Sequence, residues 1–134
     1  VLVVDDDKKA CAILRDYLTM QGFLVEVSYG GEEAIAKVHI FKPHVIVLDI
    51  RMPRLSGVEL VKMIKGWKSD VEIIIVTAVG FMEVKDECLQ HGAFACLDKP
   101  VKLDILQQKI EDALSQFKMT DLKNSEETEA ENPM

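Results

Sequence analysis

The sequence predicts an α/β fold in which five parallel strands form one sheet with helices on both faces, as a three-layer sandwich. Short runs of β-branched and other apolar residues, typical of strands buried on both faces, alternate with segments of helical periodicity. Parallel strands need crossover connections, and right-handed crossovers place helices on both faces of the sheet. The connections between the predicted elements have ordinary lengths, which favours one compact unit.

Five apolar runs are predicted as strands. They cover residues 1–4, 23–27, 44–49, 71–77 and 94–98. The first run, Val1-Leu2-Val3-Val4, and the fourth, with Ile73-Ile74-Ile75-Val76 at its centre, contain no alternating polar residues. This uniform hydrophobicity indicates strands in the interior of a sheet rather than strands with one solvated face.

Five amphipathic segments are predicted as helices. They begin near residues 8, 32, 58, 82 and 103. Gln21-Gly22 supplies a stop for the first helix, and Lys42-Pro43 ends the second. Glu32-Glu33 places acids in the first turn of the second helix, where they interact favourably with the helix dipole. The third helix is expected to stop near Gly66-Trp67 and the fourth at His91-Gly92.

Composition limits the function classes. The chain has 134 residues and a net charge of −7, with its 16 basic residues scattered, which disfavours direct binding of nucleic acid by this domain. The odd set of Cys11, Cys88 and Cys96 lacks metal-ligand spacing and favours a reducing, cytoplasmic location. No apolar stretch approaches the ~18 residues of a membrane span, so no membrane association is expected.

The end of the chain differs from the rest. From about Met119 the helical periodicity stops and acidic residues dominate, with few apolar side chains among them. Such a composition cannot bury a core and predicts a disordered acidic linker or tail. We therefore expect one domain over residues 1–118, followed by a tail over residues 119–134.

Polar residues follow the predicted strands at their carboxyl ends. The first run ends on Asp5-Asp6-Asp7, the third on Asp49 and the fourth on Thr77, while Lys99 follows the fifth. Parallel strands gather their carboxyl ends at one edge of the sheet, where ligands of such folds bind. Hard carboxylate oxygens suit Mg²⁺, and an aspartate beside a bound cation can attack a phosphoryl group.

Each of these residues also has a simpler interpretation. One acid of the cluster could cap the first helix, Asp49 could be a turn residue, and Lys99 could be a solvated charge. Three consecutive acids exceed what a cap requires, and their crowding raises at least one pKa unless a cation lies nearby. The joint placement at four strand ends favours a phosphoryl-transfer site.

The chain resembles the receiver domain of two-component response regulators, over about residues 1–118. Four motifs carry the resemblance, in order and at characteristic separations: Val3-Val4-Asp5-Asp6-Asp7, Asp49-Ile50-Arg51-Met52-Pro53 with Gly57, Ile75-Val76-Thr77-Ala78, and Leu97-Asp98-Lys99-Pro100. The resemblance implies a flavodoxin-like (βα)5 fold with strand order 2-1-3-4-5, which is the order of the chemotaxis member of this family.

The resemblance also assigns roles to the polar residues. Asp49 is expected to be the phosphoacceptor, supplied by the phosphohistidine of a sensor histidine kinase or by a small acyl phosphate. Asp6 is expected to bind Mg²⁺ directly and Asp5 through water, with Asp49 and the backbone carbonyl of Arg51 completing the protein ligands. The result would be a conformational signal rather than catalytic turnover, so the domain is not expected to be an enzyme in the ordinary sense.

Further expectations concern the switch. Thr77 resembles the hydroxyl that moves toward the phosphoryl group, Lys99 resembles its ion-pair partner, and the Lys99-Pro100 peptide is expected to be cis. Cys96 stands where the family usually has an aromatic ring, which puts the aromatic half of the switch in question. Arg51 and Val79 stand where side chains border the entry of the hydrolytic water.

The output of the domain is open at this level. The family uses the surface of helix 4, strand 5 and helix 5 for an output domain or partner and for homodimers, and Phe81 lies near this surface or in the core. Asp7 and Asp98 are interpreted as caps or solvent-exposed charges.

Three alternatives compete with this interpretation. A haloacid-dehalogenase-like phosphatase would use an Asp-x-Asp motif, present in Asp5-Asp6-Asp7, but would leave Asp49 unexplained and expects different residues near Lys9 and after Lys99. A receiver-shaped interaction module that is never phosphorylated would be expected to have lost one of the key residues. A histidine metal site is weaker still, because the three histidines share no ligand spacing.

Overall fold

The computed structural model describes residues 1–51, 56–68, 70–78, 80 and 82–116. Its five strands are β1 (Leu2–Val4), β2 (Glu26–Ser28), β3 (Val45–Leu48), β4 (Glu72–Ala78) and β5 (Ala95–Lys99). Its helices are α1 (Lys8–Met20), α2 (Gly31–Phe41), α3 (Gly57–Trp67), α4 (Met82–Gln90) and α5, described over residues 103–116. The expected tail over residues 119–134 lies outside the described residues and stays a prediction.

All neighbouring strands pair in parallel, in the order β2-β1-β3-β4-β5. This confirms the predicted flavodoxin-like order. The chain reverses direction across the sheet after β2, so β1 and β3 lie at the centre and are covered on both faces. Their residues are accordingly almost inaccessible to solvent, which explains the uniformly apolar runs.

Strand β2 is shorter than predicted and begins three residues later, at Glu26. Its pairing with β1 begins at Leu2 and Glu26, and before it the Glu26 N–H donates to the Val1 carbonyl at 3.0 Å. Phe23 and Val25 instead pack against the core, whereas Leu24 points away from it. Hydrophobicity alone could not distinguish this approach segment from a strand.

Alternation along the strands divides the core into two clusters. One contains Leu48 and Ile75 and lies beneath α2, α3 and α4. The other contains Val47 and Val76 and is covered by α1 and α5. Burying one such side chain stabilises the fold by about 1.5–3 kcal/mol, so the two clusters together provide the main stabilisation of the sheet.

Two local features hold the loops at the carboxyl edge of the sheet. Asp7 is the N-cap of α1, since its Oδ1 accepts hydrogen bonds from the backbone N–H groups of Lys9 at 3.0 Å and Ala10 at 3.2 Å. Gly57 begins α3 so close to Ile50 that an added Cβ would lie 2.4 Å from the Ile50 Cα. The loop after β3 therefore requires glycine at position 57.

Two expectations from composition can be compared with the described part of the chain. The three cysteines are free thiols there, which agrees with the absence of a predicted disulfide framework. None of the helices in the described ranges combines the length and the hydrophobicity that crossing a bilayer requires.

Candidate functional site

The first acids after β1 and β3 are brought together by the sheet itself. The ladder continues one residue past each strand, because the backbone N–H of Asp5 donates to the Ser28 carbonyl and that of Asp49 donates to the Val4 carbonyl, both at 3.0 Å. These bonds fix Asp5 and Asp49 side by side at the carboxyl edge. Both residues are buried, with relative exposures of 4% and 7%.

Lys99, the last residue of β5, bridges the two buried carboxylates. Its Nζ donates to Asp49 Oδ2 at 2.8 Å and to Asp5 Oδ2 at 3.1 Å. The Lys99 side chain is about one third exposed, with a relative accessibility of 35%. One ammonium therefore compensates two buried acids, which leaves a net negative charge in the cluster.

Backbone groups orient the second oxygen of each carboxylate. The N–H of Asp7 donates to Asp5 Oδ1, and the N–H of Arg51 donates to Asp49 Oδ1, each at 2.9 Å. In each bond the accepting Asp side chain lies two residues before the donating N–H, an arrangement that Asp favours in turns. The carboxylates are thus held in fixed orientations by the chain that follows them.

The electrostatic environment favours the charged form of Lys99 and disfavours the charged form of Asp5. Burial raises the pKa of Asp5, and the hydrogen bonds from Asp7 and Lys99 only partly oppose this effect. Burial lowers the pKa of Lys99, but hydrogen bonds to Asp49 and Asp5 outweigh it, and the pKa of Lys99 is raised. A further cation at this edge would therefore relieve the cost of ionising Asp5.

The residues at this edge fit a divalent cation. Asp5, Asp6 and Asp49 each offer a carboxylate oxygen, and these oxygens lie within 4.8 Å of one another. Asp6 is exposed, whereas its two partners are buried. An adjoining cavity of about 330 Å³ is also lined by Arg51, Ala78 and Lys99. Mg²⁺ prefers such a site, with one or two carboxylates and room for several waters.

Thr77 stands near the end of β4, at the same carboxyl edge of the sheet as this cluster. The residue is fully buried near the end of β4, and its Oγ1 has no hydrogen-bond partner among the described residues. A buried hydroxyl without a partner is costly, by about 1–3 kcal/mol. Ala78, the next residue, lines the acidic cavity. The hydroxyl is thus available for a new partner at this edge of the sheet.

The remaining sequence predictions have mixed outcomes. The Lys99-Pro100 peptide is cis, as expected from the resemblance. Asp7 is a cap, as interpreted, but Asp98 is more than an exposed charge, because it forms an ion pair with Lys85 of α4. Arg51 is exposed and lines the acidic cavity. The predictions for Met52-Pro53, Val79 and Phe81 lie outside the described residues.

Two contributions were missed by sequence reasoning. The first is the backbone N–H of Asp7, which fixes Asp5 in addition to the capping role of the Asp7 side chain. The signal for it was the run of three acids, in which a turn between Asp5 and Asp7 is a common arrangement. The second is Lys85, which no local motif distinguishes from other helical lysines.

Comparison with known proteins gives a consistent assignment. The response regulator receiver domain family matches residues 1–111. The transcriptional regulatory protein ZraR of Salmonella typhimurium is 36% identical over 120 residues, which cover 90% of this chain and 27% of ZraR. The response regulator MprA of Mycobacterium tuberculosis is 34% identical over 125 residues, which cover 93% of this chain and 54% of MprA.

A solved structure supports the same conclusion. A response regulator receiver domain protein from Methanospirillum hungatei superposes with a TM-score of 0.85 at 28% identity, and the match covers 89% of this chain and 95% of that one. The chain spans about a quarter of the length of ZraR and about half that of MprA. Receiver domains bind Mg²⁺ at an acidic pocket, and this chain has an acidic cluster of Asp5, Asp6 and Asp49. This chain belongs to the response regulator receiver domain family of two-component systems.

Proposed function

We propose that Asp49 is the phosphoacceptor of this receiver domain, and that it receives its phosphoryl group from the phosphohistidine of a sensor histidine kinase in a Mg²⁺-dependent reaction. The observation that carries the proposal is the position of Asp49. It is a buried carboxylate at the centre of the sheet edge, held by the Arg51 N–H and Lys99 and within ligand distance of two further acids.

The reaction requires little covalent chemistry from the domain. An oxygen of the Asp49 carboxylate forms a bond to phosphorus while the bond between phosphorus and the imidazole nitrogen of the donor breaks, and the product is an aspartyl phosphate. The loose transition state mostly requires alignment and compensation of charge on the equatorial oxygens. Lys99, already bonded to Asp49, supplies one positive charge at this position.

Four groups would hold the metal: the carboxylates of Asp5, Asp6 and Asp49 and the backbone carbonyl of Arg51. Asp6 is assigned as a direct ligand and Asp5 as a ligand through water. A bound Mg²⁺ supplies positive charge that allows the anionic carboxylate and the anionic phosphoryl group to approach each other. The raised pKa of Asp5, caused mainly by burial, supports a cation at this place.

Thr77 and Lys99 would respond to the phosphoryl group on Asp49 by changing their hydrogen-bond partners. Lys99 would exchange its bond to Asp49 for one to the phosphoryl oxygens, and the Thr77 hydroxyl would gain the partner that it lacks among the described residues. Both changes are favourable only when the phosphoryl group is present. They therefore provide the free-energy difference that a conformational switch requires.

A protein phosphodonor is supported by a second cavity that adjoins Asp49. It has a volume of about 500 Å³ and is lined mainly by apolar side chains, among them Ala10, Ile13 and Leu14 of α1 and Val101 before α5. Below it, α1 and α5 are tied together by the hydrogen bond from the Tyr17 hydroxyl to Gln107 Oε1 at 2.7 Å. An apolar surface beside the acceptor suits a partner helix that presents its histidine to Asp49.

We infer a cytoplasmic location from the three free thiols, and an output domain or partner that senses α4, β5 and α5, with a homodimer through the same surface. The name of ZraR describes a transcriptional regulator, and the full protein is proposed to act through such an output. The receiver domain, residues 1–118 in this proposal, is not expected to contact nucleic acid itself.

The test is incubation with acetyl phosphate and Mg²⁺, followed by intact mass measurement. One phosphoryl group is expected on the wild type, and none on Asp49→Ala or when Mg²⁺ is removed with EDTA. Asp16→Ala removes an exposed carboxylate of α1 and is the matched control, which should be phosphorylated like the wild type. Full phosphorylation of Asp49→Ala would place the nucleophile elsewhere, with Asp5 the first candidate.

The phosphatase alternative is separated by a second assay. A receiver domain is expected to hydrolyse only its own phosphoryl group. It should show no catalytic turnover of a generic phosphomonoester. Sustained Mg²⁺-dependent hydrolysis of p-nitrophenyl phosphate that survives in Asp49→Ala would instead favour an Asp5-based phosphatase.

A further inference from the structure

The start of α4 is tied to β5 by an ion pair between Lys85 and Asp98. We propose that Lys85 and Asp98 are positioning residues for Thr77. Their ion pair, named the α4 latch, holds α4 against β5 before phosphorylation and opposes the movement of the Thr77 hydroxyl toward Asp49. The inference rests on the proposed function, because that movement is the one that phosphorylation drives.

Strand register places the latch next to Thr77. Thr77 and Asp98 are paired in the parallel ladder of β4 and β5, and Ile75 pairs with Cys96 two residues earlier. Paired residues of neighbouring strands lie on the same face of a sheet, and residues two apart share a face. Ile75 and Cys96 both pack in the cluster beneath α4, so Thr77 and Asp98 are also directed to the α4 face.

The chain connection makes the latch relevant to Thr77. β4 ends at Ala78 and α4 begins at Met82, so only residues 79–81 separate the strand from the helix. Lys85 lies in the first turn of α4, close to this connection. Ala78 and Met82 are four residues apart, at most about 14 Å in an extended chain, so the Thr77 end of β4 and the start of α4 are closely linked. The ion pair restrains that start.

A second contact acts at the same residue. The Cys96 thiol donates to the Lys85 backbone carbonyl, with a sulfur–oxygen distance of 3.7 Å. Both the main chain and the side chain of Lys85 therefore contact β5. In the family this strand position usually carries an aromatic ring, whereas in this chain the smaller Cys96 and the latch connect β5 to α4.

The environment of the pair favours a measurable effect. The Lys85 side chain is only 16% exposed and that of Asp98 is 49% exposed, so solvent screens the pair less than it would two fully exposed charges. If the Lys85–Asp98 ion pair is weaker after Thr77 has moved toward Asp49, then removing the ion pair favours the conformation in which Thr77 has moved. By linkage, a ligand that selects that state then binds more tightly.

The test uses the full chain and beryllofluoride with Mg²⁺ as the phosphoryl mimic, titrated by isothermal calorimetry. Lys85→Met keeps the apolar stem of the side chain and Asp98→Asn keeps its shape. Each is expected to tighten beryllofluoride binding about 1.5- to fivefold, the range for a partly exposed ion pair. The double variant should show no further gain, because both changes remove the same interaction.

Lys62→Met is the matched control, since it removes the ion pairs of Lys62 with Glu59 and with Glu87 of α4, on the α3 side of that helix. It should leave beryllofluoride affinity unchanged. If the ion pair were merely structural, its removal would lower the unfolding free energy of the variants without tightening their binding of beryllofluoride. The latch requires lower stability together with tighter binding.

Three results would overturn the proposal. Unchanged or weaker binding in Lys85→Met and Asp98→Asn would show that the pair does not oppose the switch. Tighter binding in only one of them would show that the two residues do not act together. No binding of beryllofluoride to the wild type would contradict the proposed function itself, and with it the latch.

Discussion

Ile75 and Thr77 lie two residues apart on the same face of β4, and both are fully buried, yet their surroundings differ. Ile75 is surrounded by the apolar cluster beneath α4, where every neighbour favours burial. Thr77 brings a hydroxyl to the carboxyl edge, where that hydroxyl has no partner among the described residues. The same strand thus passes from an interior that stabilises the fold to an edge that does not.

The comparison extends to the neighbouring strands. Leu48 is completely buried in the same cluster, and the next residue, Asp49, is an acid with little exposure to solvent. Asp5 stands in the same relation to Val4. We infer that the interior provides the stability that allows the edge to hold poorly compensated charges and an unpaired hydroxyl. We propose that a bound cation and a phosphoryl group would stabilise these groups further.

The largest effect is expected for truncation in the interior. Ile75→Ala should lower the unfolding free energy by about 2–5 kcal/mol, because it removes buried apolar contacts and leaves a cavity. Urea denaturation monitored by circular dichroism measures this change. Ile105→Ala, on the exposed surface of α5, is the control and should cost less than about 1 kcal/mol. A small loss for Ile75→Ala would show that the interior is not the source of stability.

A gain in unfolding free energy is expected for a substitution at Thr77, two residues further along β4. Thr77→Val replaces the unpaired hydroxyl with a methyl group of similar size and should raise the unfolding free energy by about 1 kcal/mol. The same variant should respond less to phosphorylation. Thr19→Val, on the exposed surface of α1, should change stability by less than about 0.5 kcal/mol. A loss of stability in Thr77→Val would mean that the hydroxyl has a partner in the folded protein.

The smallest effect concerns the charge of Asp5. Burial raises the pKa of Asp5, so its protonated form favours the folded state, and this contribution is lost as pH rises from below the ordinary pKa through the raised one. Asp5→Asn should therefore be more stable than the wild type at neutral pH in EDTA. The difference should vanish in acid.

Urea denaturation between about pH 4 and pH 8 tests this dependence, with Asp16→Asn as an exposed control. The raised pKa of Lys99 does not interfere in this range, because its contribution is lost only as alkaline pH passes through that pKa. Added Mg²⁺ should stabilise the wild type but not Asp5→Asn. Equal stability of the two proteins at all pH values would show that Asp5 is adequately compensated without a cation.

Much of this arrangement can be predicted from the sequence, because the residues that define it are neighbours in the chain. The apolar runs and the polar residues that follow them are adjacent in the chain, so Asp49, Thr77 and Lys99 were assigned to one edge before any contact was known. Strand order followed from the resemblance and was confirmed. The predicted start of β2 was wrong, because Phe23 and Val25 pack against the core without being paired in the ladder with β1, and hydrophobicity does not distinguish the two arrangements.

Long-range side-chain pairing was not accessible. The sequence suggested Lys99 as a partner of the phosphoryl group, but not that it bridges Asp5 and Asp49 beforehand. Nothing local distinguishes Lys85 from other lysines, or predicts that Asp98 is its partner. The missing partner of Thr77 among the described residues is likewise a property of the assembled edge, since it depends on how β4 and β5 meet the helix that covers them.

We propose that the costly edge of the sheet serves the phosphorylation of Asp49, and chemical identification of the modified residue tests this most directly. After treatment with acetyl phosphate and Mg²⁺, sodium borohydride reduces an aspartyl phosphate to homoserine, which peptide mass spectrometry locates. We predict homoserine at position 49, with Asp5 and Asp6 unchanged. Homoserine at Asp5 or Asp6, with Asp49 intact, would contradict the claim.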